Sequence, residues 1–167
     1  MAYFRGMPKP LRIRAFRAVL FPILVAGVVG TFHAQEALQN PSEFLGFDLG
    51  DRFSLHHEVT GFSKHVGAQP GASYVEYGST YEQRPLHAIV FTHPDNLDRL
   101  EDIRLQHLDR VNGGTGDAAF DELAVVWMSY NVHGNEAVCT EAALEVMHAL
   151  AEKCAAGDPM MKHLVVL

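Results

Sequence analysis

Near its C-terminal end the chain carries Leu123-Ala-Val-Val-Trp-Met-Ser-Tyr130, an almost unbroken apolar run. A run of that length without polar alternation predicts a central strand buried on both faces, the pattern of a parallel sheet covered by helices. A short link, Asn131-Val-His133-Gly-Asn-Glu136, leads into a helical pattern from about 136 to 155. Ala143, Met147, Leu150 and Cys154 recur on one side of it, with Glu141, Glu145, His148 and Glu152 on the other. Gly157-Asp-Pro159 ends the helix, and His163-Leu-Val-Val-Leu167 begins a second apolar strand. Strand, helix and strand in that order make a βαβ unit with parallel strands. A second strand cut after five residues leaves a sheet edge uncovered, so the expectation is a fragment of a larger domain.

The upstream pattern fills in the rest of the sheet. Residues 35–50 read as loop. Asp51 is placed to cap a helix over about 52–66 whose apolar face holds Phe53, His57, Val59, Phe62 and Val66, and Pro70-Gly71 breaks it. Tyr74–Tyr77 and Leu86–Thr92 form a hairpin across a turn from Gly78 to Pro85. Asn96 is placed to cap a helix over 97–110 that turns Leu97, Leu100, Ile103 and Leu108 inward. Asn112-Gly-Gly-Thr-Gly-Asp117 is a loop; a phosphate cradle needs a strand before it, and here the strand comes after. These elements predict an α/β fold, a mixed sheet flanked by helices, in one domain over 35–167.

Charge divides the chain unevenly. Positions 1–34 hold five basic residues (Arg5, Lys9, Arg12, Arg14 and Arg17) and no acid, while the remainder carries a formal −12. So acidic a body repels nucleic acid and anionic lipid, and neither is expected as a partner. The basic stretch runs into Ala18–Gly30, thirteen apolar residues interrupted by Pro22. Spanning a bilayer takes roughly 20, so residues 1–34 read as a signal peptide, cut after Gly30 or Ala34, with an uncleaved N-terminal anchor as the alternative. The expected location is therefore exported, periplasmic or secreted, with no stable membrane partner beyond that signal. Cys139 and Cys154 fall on one predicted helix, roughly 22 Å apart along its axis and out of disulfide reach. Cys139 is the one expected to serve as a small core hydrophobe.

His133 and Glu136 carry the chemistry. His133 falls where ligands bind in open parallel sheets, beyond the carboxyl end of a strand. Glu136 sits in the first turn of the next helix, where the dipole favours a carboxylate. Gly134 allows a sharp turn that lets both side chains reach one point. An imidazole and a carboxylate, with a third ligand and a water, make a catalytic zinc site. The spacing alone is weak: with ten His and eleven Glu in the chain, about 0.7 such pairs arise by chance. His33-Ala-Gln-Glu36 is one, at the signal junction. Position separates the two, although a structural histidine followed by a helix-capping acid fits the same residues.

Trp127-Met-Ser-Tyr-Asn-Val-His-Gly-Asn-Glu-Ala-Val-Cys-Thr-Glu-Ala-Ala-Leu144 resembles the first zinc motif of the carboxypeptidase A-like zinc metallocarboxypeptidases. Gly78-Ser-Thr-Tyr-Glu-Gln-Arg84 is similar to that family's Gly-x-Thr/Ser-x-Glu-Gly-Arg hairpin signature, and Phe44–Asp51 resembles larger bacterial secreted members. The resemblance covers about residues 41–167. It implies the N-terminal half of a zinc carboxypeptidase domain, with Zn2+ bound by His133 and Glu136 and a peptide substrate losing its C-terminal residue. The family's third ligand, general base and carboxylate-binding arginine come later in the chain than this motif. Two positions depart from the pattern: Gln83 replaces a glycine, and Asn135 stands where digestive-type members often have arginine. Glu82 and Arg84 read as hairpin structure. His163 starts a strand and is not expected as the third ligand, and the remaining histidines read as packed or solvated. The rival readings are an aspartoacylase-type zinc deacylase, which shares His-Gly-Asn-Glu, and a non-catalytic secreted module.

Overall fold

The structure, a computed structural model, describes residues 36–120 and 122–167; the expected export signal over 1–34 lies outside them. The segment read as loop contains a helical turn, α1 (Pro41–Leu45). Asn40 and Glu43 cap it reciprocally: the Asn40 side chain accepts from the Glu43 amide at 2.9 Å, and the Glu43 carboxylate accepts from the Asn40 amide at 3.1 Å.

Helix α2 (His56–Gly67) starts four residues later than expected, and Asp51 is not its cap. Glu58 does that work, accepting from the Leu55 amide at 2.7 Å and pairing with Arg52. The Arg52 guanidinium and the Leu55 amide hold the Glu58 carboxyl down at about 2. Residues 50–54 are instead tied to a later helix by Glu141, which accepts from the Gly50 and Ser54 amides, and they form a turn and bends with Phe53 exposed. Within α2 the expected apolar face forms in part: Phe62 and Val66 are fully buried and Val59 half-buried, whereas His57 is exposed.

Strands β1 (Ala72–Ser79) and β2 (Pro85–Phe91) pair antiparallel, Ala72 opposite Phe91 and Ser79 opposite Pro85, with a bulge between Glu76 and Gly78. Gly71, at φ 76, sets the entry to β1, and its Cα lies so close to Thr92 O and Cys154 Cβ that no side chain fits there. After β2 a 3-10 turn over Pro94–Arg99 precedes α3 (Leu100–Val111). Asn96 does not cap a helix. The turn is started by Pro94 and by the His93 ring, which accepts from the Asp95 amide at 3.2 Å. Asn96 instead points inward, donating to Thr92 Oγ1 at 3.0 Å and Lys162 O at 3.1 Å. Ile103 is buried as expected, whereas Leu108 is exposed.

The βαβ unit forms as β3 (Ala124–Val126), α4 (Val138–Ala155) and β4 (Leu164–Val166), the two strands parallel with Val126 opposite Val166. Phe91 pairs with Val166 across the antiparallel β2–β4 contact, so the sheet order is β1-β2-β4-β3 and the sheet is mixed. Alternation along β2 and β4 divides the core. Ile89, Phe91 and Val166 face α2 and α4 with Phe62, Leu144, Ala151 and Met161, while Val90 and Val165 face Ile103 and Phe120. Helices thus flank the sheet, as the sequence implies.

Two further expectations change. The strand read as central and buried on both faces is short and has only β4 beside it among the described residues; Trp127 is 70% exposed. Polarity pattern cannot tell a strand's position in a sheet, and here the apolar run lines a cavity of about 320 Å3 between α2, β2 and α4. The second concerns the cysteines. Both are free, but Cys154 is the fully buried one, its thiol pushed up to about 11 by burial, and Cys139 is half-buried.

Candidate metal centre

The chain leaves the sheet with its ladder intact past β3: the Leu167 amide donates to Val126 O at 2.8 Å and the Met128 amide to Leu167 O at 2.7 Å. It turns at Asn131, whose φ of 53 lies in the left-handed region that Asn tolerates better than most residues. His133 therefore lies in a loop beyond the carboxyl end of the strand. Glu136 precedes α4, which begins at Val138, and is not in its first turn. Local backbone bonds coil the loop, Glu136 N to His133 O at 3.1 Å and Cys139 N to Glu136 O at 2.9 Å.

That coil brings the two predicted ligands together. His133 Nδ1 lies 3.1 Å from Glu136 Oε1, with the side chains 70% and 48% exposed. The turn does not depend on Gly134, which has no positive φ and open space where a Cβ would stand; Asn131 takes the left-handed position instead. A nitrogen and a carboxylate oxygen at that separation lie near what zinc needs, since two corners of a tetrahedron with ~2.1 Å bonds lie about 3.4 Å apart. A divalent ion bound between them would take the place of their mutual hydrogen bond. The donors fit zinc as a partial set. A catalytic zinc takes three protein ligands, and among the described residues no group of three His, Cys, Asp or Glu side chains converges.

Other histidines are engaged elsewhere. His65 is buried and accepts from the Gln39 amide, His87 meets Ser63 Oγ at 3.0 Å, and His163 faces Glu122 at 3.4 Å. In the hairpin turn, Thr80 exchanges backbone bonds with Gln83 and Arg84, and its Oγ1 accepts from the Arg84 amide at 3.1 Å. Gln83 takes φ 62, the conformation the expected glycine adopts freely, so the tight turn forms with an ordinary side chain in it. Glu82 and Arg84 pair on the surface at 2.9 Å, as turn residues.

Sequence reasoning missed the residues that hold this loop. Asn131 Nδ2 donates to Thr140 Oγ1 at 2.6 Å, joining the loop's entry to the first turn of α4. Glu141 accepts from the Gly50 amide at 2.7 Å and from Ser54 Oγ at 3.0 Å, fixing that same turn against the approach to α2. An Asn directly after an apolar strand is a signal for a left-handed turn; nothing in the sequence marks Thr140 or Glu141.

An imidazole and a carboxylate thus converge past a strand's carboxyl end, the place where open α/β sheets bind ligands. The sequence model of the zinc carboxypeptidase family matches residues 62–166, more than half of the chain, and the chain belongs to that family. A search of curated proteins found no match, and neither did a search of solved structures.

Proposed function

We propose that this chain is the N-terminal part of the catalytic domain of an exported zinc carboxypeptidase that removes C-terminal amino acids from peptides. The observation that carries the reading is the 3.1 Å approach of His133 Nδ1 to Glu136 Oε1 in a chain of the zinc carboxypeptidase family. His133 offers a neutral nitrogen lone pair, and Glu136 offers an anionic oxygen that offsets part of a dication's charge. When bound, zinc supplies Lewis acidity to a carbonyl and lowers the pKa of a coordinated water. Both side chains are open to solvent, so an approaching peptide could reach an ion held between them. The third ligand and the general base come from residues outside the described ones, because two donors do not make a catalytic site. The acidic body and basic leader support export and a peptide substrate over nucleic acid.

Hydrolysis assays on the full-length protein test this. Removing metal with a chelator should abolish release of C-terminal amino acids from peptides, and added zinc should restore it. Chelator-resistant release, or turnover of N-acyl amino acids in preference to peptides, contradicts the proposal; the second result favours the deacylase reading.

A further inference from the structure

We propose that Asn131 and Thr140 form a positioning clasp for the zinc ligands, an inference that rests on the metal reading of His133 and Glu136. The 2.6 Å bond from Asn131 Nδ2 to Thr140 Oγ1 joins the two ends of the loop over 132–139 that carries both donors. Among the described residues it is the one side-chain hydrogen bond that does so. The loop's other hydrogen bonds are local, Glu136 N to His133 O, Cys139 N to Glu136 O and the His133–Glu136 contact itself, and Val132, His133 and Glu136 are exposed, so none of these ties the loop to the elements on either side as the clasp does.

Each half of the clasp stands on a fixed element. Asn131 lies three residues past Met128, whose bond to Leu167 is the last of the ladder, and its left-handed backbone turns the chain away from the strand. Thr140 lies next to Glu141, whose carboxylate locks the start of α4 to Gly50 and Ser54. The clasp therefore transmits the spacing between β3 and α4 to the loop, and so to the separation of Nδ1 and Oε1. Groups that orient metal ligands without touching the metal typically change affinity by about 10- to 100-fold when removed.

The test measures zinc affinity of the full-length protein by competition with a chromophoric chelator, beside the melting temperature of the metal-free form. Thr140→Val keeps the shape and removes the acceptor. Asn131→Gly keeps the left-handed backbone and removes the donor. Each should weaken zinc binding about tenfold, with Thr140→Ser retaining the parent affinity. The metal-free melting temperatures should stay within about 4 °C of the parent, so a general loss of stability is not the cause. Unchanged affinity in Thr140→Val overturns the clasp, as does a Thr140→Ser protein no tighter than Thr140→Val. If Asn131→Gly does not fold, Thr140→Val decides alone. His133→Ala separates the two levels: zinc lost there but kept in Thr140→Val defeats the clasp only. A parent that binds zinc no better than His133→Ala defeats the metal reading, and the clasp with it.

Discussion

Two ordinary side chains occupy left-handed backbone positions, Gln83 at φ 62 and Asn131 at φ 53. The first stores strain without an evident return. A non-glycine residue there costs roughly 1 kcal/mol, part of which glycine gives back through its greater freedom in the unfolded chain. Gln83→Gly should therefore stabilise the protein by about 0.5 kcal/mol, read as a higher urea midpoint at unchanged slope. A lower midpoint would mean that the Gln83 side chain makes a contribution its exposed position does not suggest. The family's glycine at this place made the tension legible in the sequence. The converse failure was Gly134, which looks like a turn glycine yet has an ordinary φ. Composition shows where a turn can fall but not which residue in it takes the unusual angle.

Among the elements, the hairpin, α4 and the parallel β3–β4 pair were legible because their hydrophobic periods are long and uninterrupted. The start of α2 was not, because its cap is a carboxylate inside the helix, Glu58, while Asp51 is held off by contacts to a helix ninety residues later in the chain. No local pattern reports such a partner. The junction of α2 with β2 also has a pH signature. His87 packs against Ser63 and stacks on Tyr74 at 5.1 Å, and burial first, then nearby His56, lowers its pKa from the usual value. With the folded value below the unfolded one, stability is whole above about pH 6.5 and falls as acid protonates the unfolded chain more readily. Urea midpoints should drop more for the parent than for His87→Gln between pH 7.5 and 5. Equal drops would place the acid sensitivity elsewhere.

At the scale of the whole molecule, a mixed sheet with helices on both faces followed from the order of apolar runs, and the position of β3 within it did not. Trp127 and Met128 read as core residues and are exposed beside a cavity, because burial depends on what else packs against a strand. The site shows the same division. His133 and Glu136 were identifiable from spacing, setting and family resemblance, whereas the clasp through Thr140 and the anchor at Glu141 exist only once α4 is folded back on its neighbours. Everything proposed about activity depends on those two donors sharing one ion. Zinc K-edge absorption on the full-length protein, compared with His133→Ala, measures this directly. The account predicts nitrogen and oxygen neighbours at about 2.0–2.2 Å in the parent, and a variant that loses zinc or shows one imidazole fewer. Undiminished zinc with an identical spectrum in His133→Ala would contradict it.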